Sequence, residues 1–257
     1  MITIDMSEIT INIFSAIAVS AIITVMANVH SQKLKAILYT LPFPITIALI
    51  SSNSIATSLS IVGLILTGGF LWGCYFLHFK MRMNVLLADI LLAVFYILAA
   101  YILTRLVDIS FWTIFILFGL CWLVLMALFK RVTFRYRSQN PSKLNPFLKA
   151  VFVFIIAFAL FSAHHYLAAF VVTFPYNGVF AVYENRAGLL PQAALFTRNS
   201  LALAAYFLAN YLLGTHYSAP VRYAASWLGF GVVLVLVHRL IKIHVKDTRP
   251  PIERYSS

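Results

Sequence analysis

Nine runs of apolar residues follow one another along the chain, separated by short polar breaks. Each run approaches the length that a helix needs to cross a membrane, roughly 20 residues. The second and seventh runs are short and carry proline at their centres, so each is either a full crossing or a re-entrant segment. The pattern predicts transmembrane helices at residues 9–29, 34–50, 57–77, 85–103, 109–129, 148–163, 167–183, 195–213 and 223–241.

Composition agrees with a chain whose solvent is lipid. Hydrophobic residues make up 62% of the sequence, charged residues make up 10%, and the mean hydropathy is +0.93. Soluble domains carry about 25% charged residues. The sequence therefore predicts an all-α polytopic membrane protein whose spans leave no room for a soluble catalytic domain. The first run follows an acidic start (Asp5 and Glu8), so we expect a retained helix and not a signal peptide.

Loop charges predict the orientation of the helices. Lys and Arg accumulate on the cytoplasmic side of membrane proteins. If the N-terminus lies outside, nine crossings place every Lys and Arg except Arg105 and Arg222 on the cytoplasmic side. We therefore predict an N-out, C-in topology. The basic loop (residues 130–149) and the basic tail (residues 242–257) then face anionic lipid head groups, and we expect no nucleic-acid partner despite the net charge of +12.

An internal repeat links the two proline-containing runs. Residues 34–50 and 167–183 align without gaps at an offset of 133, and both contain the pattern T-[LF]-P-[FY]. Each run is the second helix of a four-helix unit, and the fifth helix connects the units. Because a single connecting helix turns the second unit upside down, the pattern predicts a 4+1+4 inverted repeat, which is typical of secondary transporters. Chance similarity between apolar helices is the alternative.

The predicted repeat divides the chain into four parts. These are a first four-helix unit (1–104), a linker helix with the basic loop (105–147), an inverted four-helix unit (148–241) and the tail (242–257).

The two prolines predict a substrate site. Proline inside a helix frees backbone carbonyl groups, and the amides after the break form a helix N-terminus that attracts anions. Inversion would bring the two breaks together near the middle of the bilayer. The alternative interpretation is that the prolines only kink two helices for packing. The residues expected to line the site are Thr40, Pro42, Pro44, Thr173, Pro175, Tyr176 and Asn177.

Four ionisable residues are candidates for gating or coupling: Asp89, Glu184, Arg186 and His165. Asp89 lies about one turn into the fourth helix and either faces a cavity or extends toward Arg82. Glu184 and Arg186 are expected at the inner rim, where a solvated salt bridge is the alternative. His165, beside His164 at an outer hairpin, is either a pH-sensitive or metal-binding group or an interfacial anchor.

Enzymatic and metal-binding signatures do not occur in the sequence. The two cysteines, Cys74 and Cys121, lie in apolar runs without a ligand at metal-binding spacing. The motifs H-E-x-x-H and G-x-S-x-G and a glycine-rich phosphate loop are also absent from the sequence. We therefore expect no enzymatic activity, no metal and no cofactor. Asn199 and Asn210 are predicted to form hydrogen bonds between helices.

Residues 173–186 read T-F-P-Y-N-G-V-F-A-V-Y-E-N-R and precede an apolar helix with Arg198 at its start. This segment resembles GlpM-like small bacterial membrane proteins, which are single four-helix units with an F-P motif in the second helix. The resemblance covers residues 150–240 and, less clearly, 10–103, where L-P-F-P replaces F-P and the E-x-R that follows is missing. It implies a duplicated and fused unit in a bacterial inner membrane, and it supplies no substrate.

Two functions follow from these patterns. The first is a small secondary transporter or lipid-linked flippase that holds a polar or anionic substrate between two broken helices. The alternative is a non-transporting accessory or scaffold subunit of an envelope-biogenesis complex, which docks through the basic loop and tail.

Overall fold

The structure, a computed structural model, is helical except for two short strands. It describes residues 6–27, 29, 37–106, 108–129, 133–136, 145–167, 169–184, 186–241 and 244–247. The strands are β1 (Thr133–Tyr136) and β2 (His244–Asp247). The helices are α1 (Met6–Ala27), α2 (Phe43–Ser51), α3 (Ser58–Tyr75, continued by a π-helical turn at Phe76–Lys80), α4 (Val85–Leu106), α5 (Phe111–Phe129), α6 (Pro146–Ser162), α7 (His164–Leu167), α8 (Ala169–Thr173), α9 (Tyr176–Glu184), α10 (Leu189–Leu213, after a 3-10 turn at Arg186–Gly188) and α11 (Ala219–Leu240).

Five of these helices, α1, α3, α4, α5 and α11, are long and apolar enough to cross a membrane. Less than half of the residues in each span are buried, so most of their surface faces outward. Large apolar side chains on that surface, such as Phe95 at 61% and Leu106 at 76%, are exposed. An apolar outer face is stable against lipid and not against water. The chain therefore has the architecture of an integral membrane protein.

Helix α10 forms the centre of the bundle. It is less apolar than the five long spans, yet Gln192, Thr197, Arg198, Asn199 and Asn210 are all buried along it. It packs against α3, α5 and α11. Because these neighbours shield its polar side chains from lipid, α10 can carry groups that a lipid-facing helix would expose at high cost.

Helices α3 and α10 run in opposite directions. The backbone N–H of Ala56, just before α3, donates to Asn210 Oδ1 near the end of α10 at 2.9 Å. At the other end of the pair, Trp72 Nε1 donates to Thr197 Oγ1 at 3.1 Å. The start of α3 therefore lies beside the end of α10.

The two strands join segments that are far apart in sequence. β1 follows α5 and β2 follows α11, and the strands pair in parallel, with Thr133 opposite His244 and Tyr136 opposite Asp247. The basic loop and the basic tail therefore meet at one face of the bundle, so α5 and α11 end at the same face. The apolar pattern did not predict these strands, because each is only four residues long and interrupted by charged residues.

The structure corrects three predicted helix boundaries. The eighth predicted helix starts at Leu189 and not at 195, and the ninth starts at Ala219 and not at 223. Arg222, predicted in an outer loop, therefore lies inside a helix, and Arg198 lies further from the helix start than predicted; both side chains are buried. Pro191 and Pro220 fall within the first turns of α10 and α11, where proline removes no hydrogen bond that the helix would otherwise form. The seventh predicted helix is divided into α7, α8 and α9.

Candidate functional site

The first broken segment comprises residues 37–51. A turn at residues 39–42 precedes α2, whose first two residues are Phe43 and Pro44. Pro42 occupies the N-cap position, and its carbonyl accepts the first helical hydrogen bond from the Thr46 N–H at 2.8 Å. Proline is compatible with a helix start but not with a helix interior. The two prolines therefore define where α2 begins.

The second broken segment comprises residues 164–184. Helix α8 ends at Thr173, and α9 begins at Tyr176. Pro175 lies between them, and its carbonyl accepts from the Val179 N–H at 2.9 Å as the new helix starts. The predicted break therefore exists at the position where the T-F-P-Y sequence occurs.

The two broken segments line one cavity, whose volume is about 60 Å³. The first segment contributes Thr40, Pro44 and Ile45, and the second contributes Thr173, Pro175, Tyr176 and Gly178, among others. A volume of this size holds a few water molecules or a small ion. Drug-sized ligands occupy pockets of about 300–1,000 Å³. Helices α3 and α10 complete the wall with Leu64, Thr67, Leu71, Gln192, Phe196 and Leu203.

Thr173 is held by two other helices where the second segment breaks. Its carbonyl accepts a hydrogen bond from Thr67 Oγ1 on α3 at 2.7 Å. Tyr96 Oη on α4 lies 3.0 Å from Thr173 Oγ1 and 3.3 Å from the Phe170 carbonyl. A carbonyl that loses its helical partner inside a membrane needs another donor. Thr67 supplies that donor, so the break is built into the packing of three helices.

Thr40 has a corresponding position in the first segment. Its hydroxyl donates to the Ile37 carbonyl at 2.8 Å and accepts from Asn199 Nδ2 on α10 at 3.1 Å. Asn199 is fully buried. The predicted interhelical hydrogen bond of Asn199 is therefore directed at the proline break.

Arg198, predicted at the start of the eighth helix, is a buried cation on α10. Its Nε donates to Asn199 Oδ1 at 3.1 Å, and its Nη2 lies 2.7 Å from His238 Nε2 on α11. A guanidinium group can only donate, so His238 Nε2 accepts and the imidazole proton lies on Nδ1. Among the residues that the structure describes, no carboxylate pairs with Arg198. The mostly apolar residues 189–194 were the signal that the helix begins before residue 195, which places Arg198 deeper in the helix than predicted.

Tyr176 lines the cavity and carries a buried hydroxyl group. The side chain is 3% exposed, and within the described part of the chain its hydroxyl has no hydrogen-bond partner. Phe161 and Phe174 pack around its ring, with centroid distances of 5.9 and 5.0 Å. A buried hydroxyl without a partner costs free energy. A polar ligand or water in the cavity would remove that cost.

The other predicted site residues lie apart from this cavity or outside the description. Pro42 is buried beside it, and the side chains of Asn177, Glu184 and His165 are outside the described residues. Asp89 is 3% exposed on α4, so it does not extend toward Arg82. Its Oδ1 has no hydrogen-bond partner among the described residues. Arg186 is exposed and lines a second cavity.

Comparison with known protein families, with curated proteins and with solved structures finds no match to this chain. The resemblance to GlpM-like proteins therefore stays a prediction, and a proposal of function rests on the geometry of the cavity.

Proposed function

We propose that the chain is a small secondary transporter or lipid-linked flippase that holds a polar, anionic substrate between its two broken helices in the middle of the membrane. The observation that carries this proposal is the cavity shared by Thr40 and Pro44 on one side and Thr173, Pro175 and Tyr176 on the other. Secondary transporters use this arrangement, in which discontinuous helices place half-helix ends at the midplane.

The helix count supports nine crossings. Five helices are long enough individually, and α6 adds a shorter apolar helix. The remaining three crossings would be the two broken segments and α10. Lipid-exposed breaks in a helix are costly, but breaks that line a cavity inside a bundle are tolerated. The bundle interior around Thr40 and Thr173 provides that environment.

The packing supports an inverted repeat. Helices α1 and α6, and helices α3 and α10, are counterparts in the predicted units, and each of these two pairs is in contact. Thr67 bonds the second broken segment and Asn199 bonds the first. Thr67 and Asn199 are 132 residues apart, within one residue of the offset that relates Thr40 to Thr173. Opposite directions of α3 and α10 are what two units placed head to foot require.

The charge around the cavity supports an anionic substrate. Arg198 reaches the Thr40 hydroxyl through Asn199, and no described carboxylate neutralises it. The first amides of α2 and α9 add the partial positive charge of two helix N-termini. In a region of low dielectric constant these contributions are stronger than in water. Phosphate, sulfate and carboxylate groups match this set of donors.

Flux measurements on the purified protein in liposomes test the proposal. We would record charge movement on exposure to phosphate, sulfate and small carboxylates, and dithionite quenching of a fluorescent phospholipid for flippase activity. The variants T40V and T173V remove one hydroxyl each at nearly constant volume. We expect each to lower the flux of the responding substrate at least ten-fold, and R198Q to weaken its apparent affinity.

The matched control is T104V. Thr104 is a partly buried residue on α4 whose hydroxyl bonds the Ala100 carbonyl of its own helix. It is not among the residues that line the cavity, so T104V should transport at the wild-type rate. Wild-type flux in a folded T40V/T173V double variant would contradict the proposed site.

The paired strands favour a second candidate, an accessory or scaffold subunit of an envelope complex. β1 and β2 form a two-stranded sheet, and sheet edges are docking sites for other chains. Under this alternative, a stoichiometric partner co-purifies and is lost when residues 242–257 are deleted. Deletion of residues 248–257, which leaves β2 in place, is the control and should retain the partner. A protein that purifies alone and transports would exclude this alternative.

A further inference from the structure

A second cavity of about 630 Å³ lies at one face of the bundle. It is bordered by the π-helical turn after α3, the start of α4 and the junction between α9 and α10. Its polar lining residues include His78, Asn84, Tyr183 and Arg186. The 3-10 turn that contains Arg186 contacts β1, so this cavity lies at the same face as the basic loop and tail. The positive-inside rule assigns that face to the cytoplasm. Its volume falls in the range of small-molecule sites.

A cluster of buried apolar side chains separates the two cavities. It comprises Phe70, Leu71 and Cys74 on α3, Val85 on α4, Val182 on α9, and Leu189 and Ala193 on α10. Leu71 is also part of the wall of the central cavity, and Val85 is part of the wall of the outer one. The same cluster therefore borders both cavities.

The cluster is thin. Gly178 lines the central cavity and Tyr183 lines the second one, and both lie on α9. At 1.5 Å per residue, the helix rises about 7 Å between them. Along α3, Leu71 and His78 are separated by roughly 10 Å. These separations are about two helical turns or less, so few side chains lie between the two cavities.

We infer that the second cavity is the cytoplasmic vestibule of the same pathway, and that the apolar cluster is its inner gate, closed in this conformation. The inference rests on the proposed transport function, because it assigns an entrance to the central site. Apolar constrictions block ions and polar solutes by excluding water. Arg186 and the polar side chains of His78, Asn84 and Tyr183 line the vestibule, which therefore suits a polar or ionic solute.

Asp89 destabilises the closed conformation of the gate. It lies one turn deeper than Val85 on α4, is buried, and its Oδ1 lacks a hydrogen-bond partner among the described residues. A polar group that is buried without a partner opposes the closed packing. Water that enters between the cavities would hydrate this carboxyl group, so Asp89 favours the open gate.

The native thiol of Cys74 reports on the gate. Cys121, which is exposed on α5, is first replaced by alanine, so that Cys74 is the remaining cysteine. A charged, membrane-impermeant methanethiosulfonate reagent is then added to inside-out or right-side-out vesicles. We expect slow labelling of Cys74 from the cytoplasmic side. V182A and L189A, which shrink the cluster, should each raise that rate at least ten-fold, and D89L should lower it several-fold.

The control is V232A, which shortens an exposed side chain on α11 and should not change the rate. Each variant is compared at equal monodispersity in size-exclusion chromatography, so that misfolding is not mistaken for opening. Rates unchanged in both V182A and L189A, or labelling that is faster from the opposite side, would overturn the gate. The labelling needs no substrate. If the labelling rates change as expected but the protein shows no flux, the proposed transport function is contradicted and the gate is not.

Discussion

Gly63 lets α3 approach the end of α8 until its backbone meets the side chain of Thr173. A methyl group at position 63 would stand 2.7 Å from Thr173 Cβ, closer than packed carbon atoms allow. The same stretch of α3 carries Thr67, one turn further on, which bonds the Thr173 carbonyl. The close approach at Gly63 therefore makes the polar support of the proline break possible. Because Thr173 lines the cavity, Gly63 affects the position of a lining residue although it does not line the cavity itself.

Substitution of Gly63 by alanine should destabilise the protein and displace Thr173. Overpacking of this kind costs about 1–3 kcal/mol. Gly69, on the same helix, has open space where a methyl group would be placed, so G69A is the matched control. We expect the free energy of unfolding in detergent titrations to fall for G63A and to stay constant or rise for G69A. Equal stability of the two variants would show that α3 and α8 do not pack as described.

Single residues of the site could be predicted only where the sequence itself carries a signal. Thr40 and Thr173 follow from the shared T-x-P pattern. The sequence did not predict Tyr96 and Thr67 as site residues. Their role depends on which helices are neighbours, and apolar periodicity contains no information on neighbours. Arg198 was predicted at the start of a helix, and its burial depends on the neighbouring helices, which the sequence does not specify.

Broken helices are the elements that distinguish this bundle from a simple set of spans. Helices α3, α4 and α5 were predicted within a few residues because their sequences are uniformly apolar. Proline predicted the position of both breaks. The division of the seventh predicted helix into α7, α8 and α9 could not be predicted, since it depends on side chains of other helices that donate hydrogen bonds to the freed backbone carbonyls. The pairing of β1 and β2 likewise depends on a contact between distant segments.

Replacement of Pro175 by alanine should join α8 and α9 more closely into one helix. Alanine restores a backbone N–H and removes the steric clash of the proline ring. We expect slower hydrogen exchange at residues 173–179 and a loss of transport, because the half-helix N-terminus at the cavity disappears. The control P220A changes a proline in the first turn of α11, and it should change neither the hydrogen exchange at residues 173–179 nor the transport rate. Full transport by P175A would contradict a functional role of the break.

At the scale of the whole molecule, the account depends on two related units that lie head to foot in the membrane. The contacts between α3 and α10 and the cavity shared by the two broken segments support the proposed arrangement. Sequence predicted it from one short repeat and the distribution of basic residues. Neither pattern specifies how closely the units pack, so the volume of the cavity and the thickness of the apolar cluster became known from the structure.

The sidedness of two equivalent turns tests this claim most directly. Met81 follows α3 and Tyr217 follows α10, and both side chains are more than half exposed, at 58% and 56%. Each is changed to cysteine in a C74A/C121A background and treated in spheroplasts with a membrane-impermeant maleimide. The account predicts that Y217C is labelled in intact spheroplasts, whereas M81C is labelled only after permeabilisation. Labelling of both cysteines from the same side would contradict the inverted arrangement and the transport proposal with it.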